Sequence, residues 1–221
     1  MLSLDRRWQQ TWGWVGRSAP PTFWADLRRR YGEPHRVYHT LDHLEACFQA
    51  LDQVPLHQRP PWTPRDRFCL EMALWCHDGV YDVTRSDNED QSSQWAGQAL
   101  AATGVAEATI APIQHLITTT AHGSSPPDLT LGDGLTPWLL DLDLAILGAP
   151  WIQFQGYECQ IRQEYAIIPD SEFQVGRQRV LQQFWQRNFI YHTAYGRQQW
   201  EDRARQNLES SMAALTTALD A

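Results

Sequence analysis

The sequence predicts an all-α protein, a single irregular helical bundle, and three observations carry that expectation. Apolar residues recur at three- and four-residue steps, as at Leu41, Leu44, Phe48 and Leu51. Helix start and stop signals divide the chain into roughly eight segments, each near the usual 10–14 residues. No run alternates apolar and polar residues long enough to read as a strand. With 221 residues, 43% of them apolar, the chain can bury a sizeable core as one domain over 1–221.

Residues 1–37, rich in Trp and Arg, read as an N-terminal helical extension packed on the bundle. The helix through Leu41–Leu51 follows. Thr63-Pro64 pairs an N-cap with a proline at the first helical position and opens the apolar run to Cys76. Ser86-Asp87-Asn88-Glu89 has the form of a capping box, and its helix should end near Gly104. Val105 to about Thr120 reads as another helix, started or kinked by Pro112. The stretch from His122 to Gly134, full of Gly, Pro, Ser and Asp, reads as a loop. Thr136-Pro137 starts the next helix and Gly148 stops it. Pro150 opens one that buries Tyr157, Ile161 and Tyr165. Pro169-Asp170-Ser171 opens one with Val180, Leu181 and Phe184 inward. A last helix from about Gln198 carries Trp200, Ala204, Leu208 and Met212.

Composition excludes some functions. Eighteen Lys+Arg against 26 Asp+Glu leave a net charge of −8, which argues against non-specific nucleic-acid binding through a basic surface. No run of about 18 apolar residues occurs, so no membrane helix is expected. The opening MLSLDRRWQQ lacks the apolar core of a secretory leader. The four Cys form no C-x-x-C pair and read as buried free thiols. A cytoplasmic protein is the expectation.

Polar residues interrupt the apolar helices at three strings: Tyr38-His39-Thr40-Leu41-Asp42-His43, Trp75-Cys76-His77-Asp78 and Asp141-Leu142-Asp143. His39 and His43, four apart, share one face if they lie on one helix. Asp141 and Asp143 would point about 200° apart, so only one can face a given site. The helical neighbours of Asp143 are Leu139, Leu140, Ile146 and Leu147, all large aliphatics. Asp143 is therefore expected deeper than Asp141, which should lie near solvent or beside a basic group. A buried carboxylate needs a cation or strong donors. Imidazole with carboxylate suits a borderline divalent ion, so the candidate metal ligands are His43, His77, Asp78 and Asp143. The candidate cofactor is one or two ions of Mn, Fe, Co, Ni, Zn or Mg, acting to activate water and neutralise a phosphoryl oxygen.

The order His43 … His77-Asp78 … Asp143 resembles the metal signature of the HD superfamily of phosphohydrolases. The surrounding phrases YHTLDHL, ALWCHDGVYD, RSDNEDQSS, LDLDLAILG, IRQEY and PDSEFQVGR resemble one branch of it, small metal-dependent phosphohydrolases, from about Tyr31 to Leu208. The resemblance implies a helical metal-binding core that hydrolyses phosphate mono- or diesters. YHTLDH is also similar to the YHN-x-x-H string of cyclic-nucleotide phosphodiesterases, where the first His is the general acid. That puts His39 in the same role, beside Asp78 at the reaction centre. Thr40 replaces the Asn, so the cyclic-nucleotide substrate is not implied.

Glu89 reads either as the capping-box carboxylate or as an acceptor that orients water at the ion. His122 stands ready for a second metal, a substrate phosphate or the general-acid role, whereas His115 lies in an apolar run and reads as structural. Arg85, Arg162 and Arg177 are the candidate phosphate binders, because guanidinium pairs bidentately with phosphoryl oxygens. The expected partner is a small phosphorylated substrate, with a nucleotide as one option. Two rival functions share the ligand set: a di-iron oxygenase on an HD fold, and a nucleotide-binding regulator with a structural metal.

Overall fold

The computed structural model describes residues 2–121 and 134–219. Among the described residues it holds ten α-helices and no strand, the all-α class that periodicity predicts. The two helices beyond the expected eight lie in the N-terminal extension: α1 (Leu4–Gly13) and α2 (Pro21–Tyr31). The loop expected over 122–133, with His122, falls outside the described residues. The chain divides into two compact units, Met1–Leu142 and Asp143–Ala221.

The first unit contains α1, α2, α3 (Leu41–Gln53), α4 (Pro64–Cys76), α5 (Asn88–Ala102), α6 (Glu107–Thr119) and all but the last residue of α7 (Thr136–Asp143). Its axis is α4. Every residue from Arg67 to Cys76 is buried, which marks a helix surrounded by others. Thr63 and Asp66 cap its start reciprocally, with Pro64 at the first position. The extension supplies core rather than trim. Trp8 meets Trp75 edge-on at 5.5 Å, and Trp12 meets Phe68 at the same separation. Edge-to-face pairs of this kind add to the area they bury. Buried Glu71 on α4 accepts hydrogen bonds from Thr11 on α1 (2.7 Å) and from Arg67 (2.5 Å), so no bare carboxylate enters the core.

One start signal and one stop resolve differently from the expectation. The N-cap of α5 is Asp87, one residue beyond Ser86, and its side chain makes no capping bond. Instead the Asp87 carboxylate accepts from Arg85 (2.6 Å) and Gln91 (3.0 Å), so the Ser86–Glu89 box is not the device that starts α5. Gly104 does close the segment, at φ +75°, the left-handed position that glycine adopts without strain. The helix from Thr136 stops as an α-helix at Asp143 and continues as a 3₁₀ turn, Leu144–Gly148.

The second unit runs from that 3₁₀ turn through α8 (Trp151–Glu164), α9 (Asp170–Trp185) and α10 (Ala194–Leu219). Leu144, Leu147, Phe154, Leu181, Phe184, Tyr191, Ala204 and Leu208 share one core. Leu181 and Phe184 point inward as expected, but Val180 is 38% exposed. Asn207 donates to the carbonyls of Leu147 (2.8 Å) and Ala149 (2.9 Å), satisfying the end of the 3₁₀ turn.

Candidate metal centre

α3 and α4 bring His43 and His77 together. His43 sits one turn into α3, which is capped by Thr40 accepting from the Asp42 N–H. His77 is the C-cap of α4, its N–H bonded to the Ala73 carbonyl at 2.9 Å. His43 Nε2 lies 3.1 Å from His77 Nε2. Asp78 Oδ2 lies 3.1 Å from His77 Nε2 and 3.7 Å from His43 Nε2. Cys47 Sγ, one turn beyond His43, is 3.7 Å from His43 Nε2. The sequence reading treats Cys47 only as a buried thiol; its four-residue offset from His43 is the signal that places it here.

Tautomer and spacing both fit a cation. His77 Nδ1 lies 2.9 Å from the Leu74 carbonyl, which only accepts, so Nδ1 carries a proton and Nε2 is the nitrogen turned to the cluster. Two ligands at the usual 2.0–2.2 Å from a first-row ion sit about 2.8–3.6 Å apart at octahedral to tetrahedral angles. Two edges of the His43–His77–Asp78 triangle, both 3.1 Å, fall in that range and the third, 3.7 Å, lies just beyond it; the three atoms form one group able to share an ion. The His43 and His77 side chains are 3% and 1% exposed and Asp78 14%, so the triangle opens towards solvent on its carboxylate side. Burial pushes the Asp78 carboxyl up, but the imidazoles of His77, His39 and His43 outweigh it and hold the group well below the usual carboxylate range.

The loop after His77 is tied down on both sides. Arg36, buried, donates from Nη1 to the carbonyls of Asp78 (2.6 Å) and His39 (3.2 Å), and from Nη2 to Gly79 (3.3 Å). The Asp78 N–H donates to the Tyr31 hydroxyl at 3.2 Å. Gly79 is required, because a Cβ there would stand 2.2 Å from the Trp95 ring. Further along, Asn88 makes paired bonds with the Asp82 backbone at 3.0 and 2.9 Å. None of Arg36, Tyr31 or Asn88 is a ligand, and sequence spacing gives no sign of Arg36.

His39 reaches the cluster by a route other than the expected one. α3 begins at Leu41, so His39 is not on the helix with His43 but in the turn before its cap. Its ring still lies 5.8 Å from that of His43 and stacks on Tyr81 at 4.0 Å. Glu89 is half-buried in the first turn of α5. His115 is half-buried on α6, and its buried Nε2 has no hydrogen-bond partner among the described residues.

The two aspartates of α7 reverse their expected depth. Asp141 is buried at 1% exposure, whereas Asp143 is only partly buried. The neighbour argument fails because Ile146 and Leu147 belong to a 3₁₀ turn, where successive side chains advance about 120° instead of 100°. Asp141 nevertheless belongs to no group able to share an ion among the described residues.

All three candidate arginines have carboxylate partners. Arg85, exposed, pairs with Asp87 at 2.6 Å. Arg162 holds Asp170 (2.6 Å) and the carbonyls of Tyr165 and Ile168, closing the end of α8. Arg177 pairs with Glu158, and its charge lies 5.0 Å over the Tyr157 ring.

No known protein family, curated protein or solved structure matches the chain.

Proposed function

We propose that the chain is a metal-dependent hydrolase of small phosphate esters, of the HD type, with His43, His77, Asp78 and Asp143 as metal ligands and a nucleotide among its candidate substrates. The observation that carries the reading is the convergence of His43 Nε2, His77 Nε2 and Asp78 Oδ2 within 3.1–3.7 Å of one another. Asp143 enters as fourth ligand on the sequence signature, and Asp141 is left to the core. A divalent ion bound there supplies a Lewis acid for a phosphoryl oxygen and makes water acidic enough to attack near neutral pH.

The chain's own groups do the rest. His77, fixed by the Leu74 carbonyl, turns Nε2 towards His43 and Asp78. His39, held against Tyr81 beside His43, protonates the leaving oxygen. Glu89 accepts from the attacking water. Arg85 is the phosphate-binding candidate nearest in sequence to the His77-Asp78 loop. Arg162 and Arg177 instead hold α8 and α9 through Asp170 and Glu158. The buried free thiols Cys47, Cys69 and Cys76 suit a reducing cytoplasm.

The test is metal analysis of the full chain, then a phosphate-release screen over nucleotides and sugar phosphates with each candidate ion. Metal-dependent phosphate release, lost with chelator and in Asp143→Asn, is the expected result. A chain that retains no divalent ion and releases no phosphate overturns the reading. Iron-dependent oxygen uptake without phosphate release replaces it with the oxygenase.

A further inference from the structure

The first unit carries a second concave site. An open groove of about 430 Å³ runs between α1, the 3₁₀ turn at Leu56–Gln58 and the prolines that lead into α4, and His39, His43, His77 and Asp78 take no part in its lining. Its lining includes three guanidiniums, those of Arg7, Arg59 and Arg67, together with Trp14, Trp62 and Leu56.

Charges and donors in the groove do not balance. Arg7 pairs with Asp52, and Arg67 pairs through Nε with buried Glu71. Two carboxylates thus face three guanidiniums. Arg59 donates from Nε to Val54 (2.9 Å) and from Nη2 to Leu51 (2.9 Å) and Asp52 (3.2 Å), all backbone carbonyls. Among the described residues, no hydrogen-bond partner stands at Arg59 Nη1 or at either Nη of Arg67. The Arg67 side chain is nevertheless only 10% exposed. Its guanidinium carbon stands 5.8 Å from the Trp14 ring and 5.6 Å from the Trp62 ring. The indole N–H groups of Trp14 and Trp62 are also buried without partners. Burial first, then the charge of Arg67, holds the Arg59 guanidinium below the usual arginine range, with Asp52 opposing and Arg7 adding to the effect. Three crowded guanidiniums with two carboxylates between them leave the groove net positive, and an anion offsets that charge.

We propose that this groove binds a small organic anion, its carboxylate or phosphate on the idle N–H groups of Arg59 and Arg67 and a planar apolar body against Trp62, Trp14 and Leu56. The planar guanidinium fork suits both anions. The groove's volume suits a molecule of metabolite size. The site is independent of the hydrolase reading, and its test needs no metal and no turnover.

The experiment is calorimetric titration of the full chain with 2-naphthoate, with its neutral amide 2-naphthamide, and with acetate. Naphthoate should saturate one site and bind about tenfold tighter than either control. Arg67→Lys keeps a charge for Glu71 but loses the fork. Arg59→Gln removes a charge that has no carboxylate partner of its own. Each should weaken naphthoate about tenfold while the melting temperature reports an intact fold. In the unmodified protein, the Trp14 and Trp62 indole N–H resonances should shift with naphthoate and not with the amide, which keeps the proposal testable if a variant fails to fold. Equal binding of acid and amide, full binding in both arginine variants, or no naphthoate binding at millimolar concentration would overturn it.

Discussion

Arg36 donates from one nitrogen to the carbonyls of His39 and Asp78, so a single guanidinium sets the distance between two of the three polar strings. Replacing it with Met takes that donor from both carbonyls and leaves Gly79 with Arg30 (3.3 Å). The expected outcome for Arg36→Met is metal affinity lowered about 10–100-fold, the range for partners that orient ligands. Arg36→Lys should recover part of it, and metal titration of folded protein distinguishes this from general destabilisation. His39 calls for a different measurement, because it adjoins the cluster without a ligand atom in it. His39→Ala should keep its metal and lose about 10²–10⁴-fold in turnover on poor leaving groups. The loss should shrink with nitrophenyl esters, which need little protonation; a small, uniform loss would make His39 structural. His43, His77 and Asp78 were legible in the sequence because each interrupts an apolar stretch. Arg36 was not, since an arginine ahead of Val-Tyr-His looks like any surface residue until its burial is known.

At the scale of elements, punctuation was more informative than periodicity. Thr63-Pro64 located α4 to the residue, because cap, proline and Asp66 are local chemistry that tertiary contacts need not supply. The α7 segment was harder. Thr136-Pro137 and Gly148 mark its outer limits, but nothing local announces the change to 3₁₀ at Leu144. That change misdirected the comparison of Asp141 with Asp143. Gly148 is needed where the 3₁₀ turn ends, because a Cβ there would stand 2.5 Å from the Trp200 Cβ and 2.8 Å from its backbone. Backbone contacts cannot swing aside as a flexible side chain can. Gly148→Ala should therefore cost about 1–3 kcal/mol, the usual range for overpacking, read as a lower denaturation midpoint. A neutral result would show that α10 can give way at Trp200.

Across the whole chain, a net charge of −8 at neutral pH means that acid titrates many carboxylates at once, and those held by partners in the folded state set where stability falls. Asp26 on α2 is the clearest case. Burial pushes its carboxyl up, but hydrogen bonds from Arg29, Arg30 and the Trp95 indole on α5 outweigh that and lower it from 3.8 to about 2. A folded pKa below the unfolded one stabilises the folded form above the unfolded value. That contribution disappears as the pH falls from about 4 towards 2. The side chain is 36% exposed, so screening limits the contribution to about 1 kcal/mol or less. Asp26→Asn should consequently melt a few degrees below the parent at pH 6, on a scale of about 2–4 °C per kcal/mol for chains of this size. Melting curves of the two proteins should draw together towards pH 2 and converge only below it, once the folded carboxyl is protonated as well. A gap that persists unchanged to pH 2 would mean that Asp26 joins α2 to α5 through its shape and hydrogen-bonding geometry, with its charge contributing nothing.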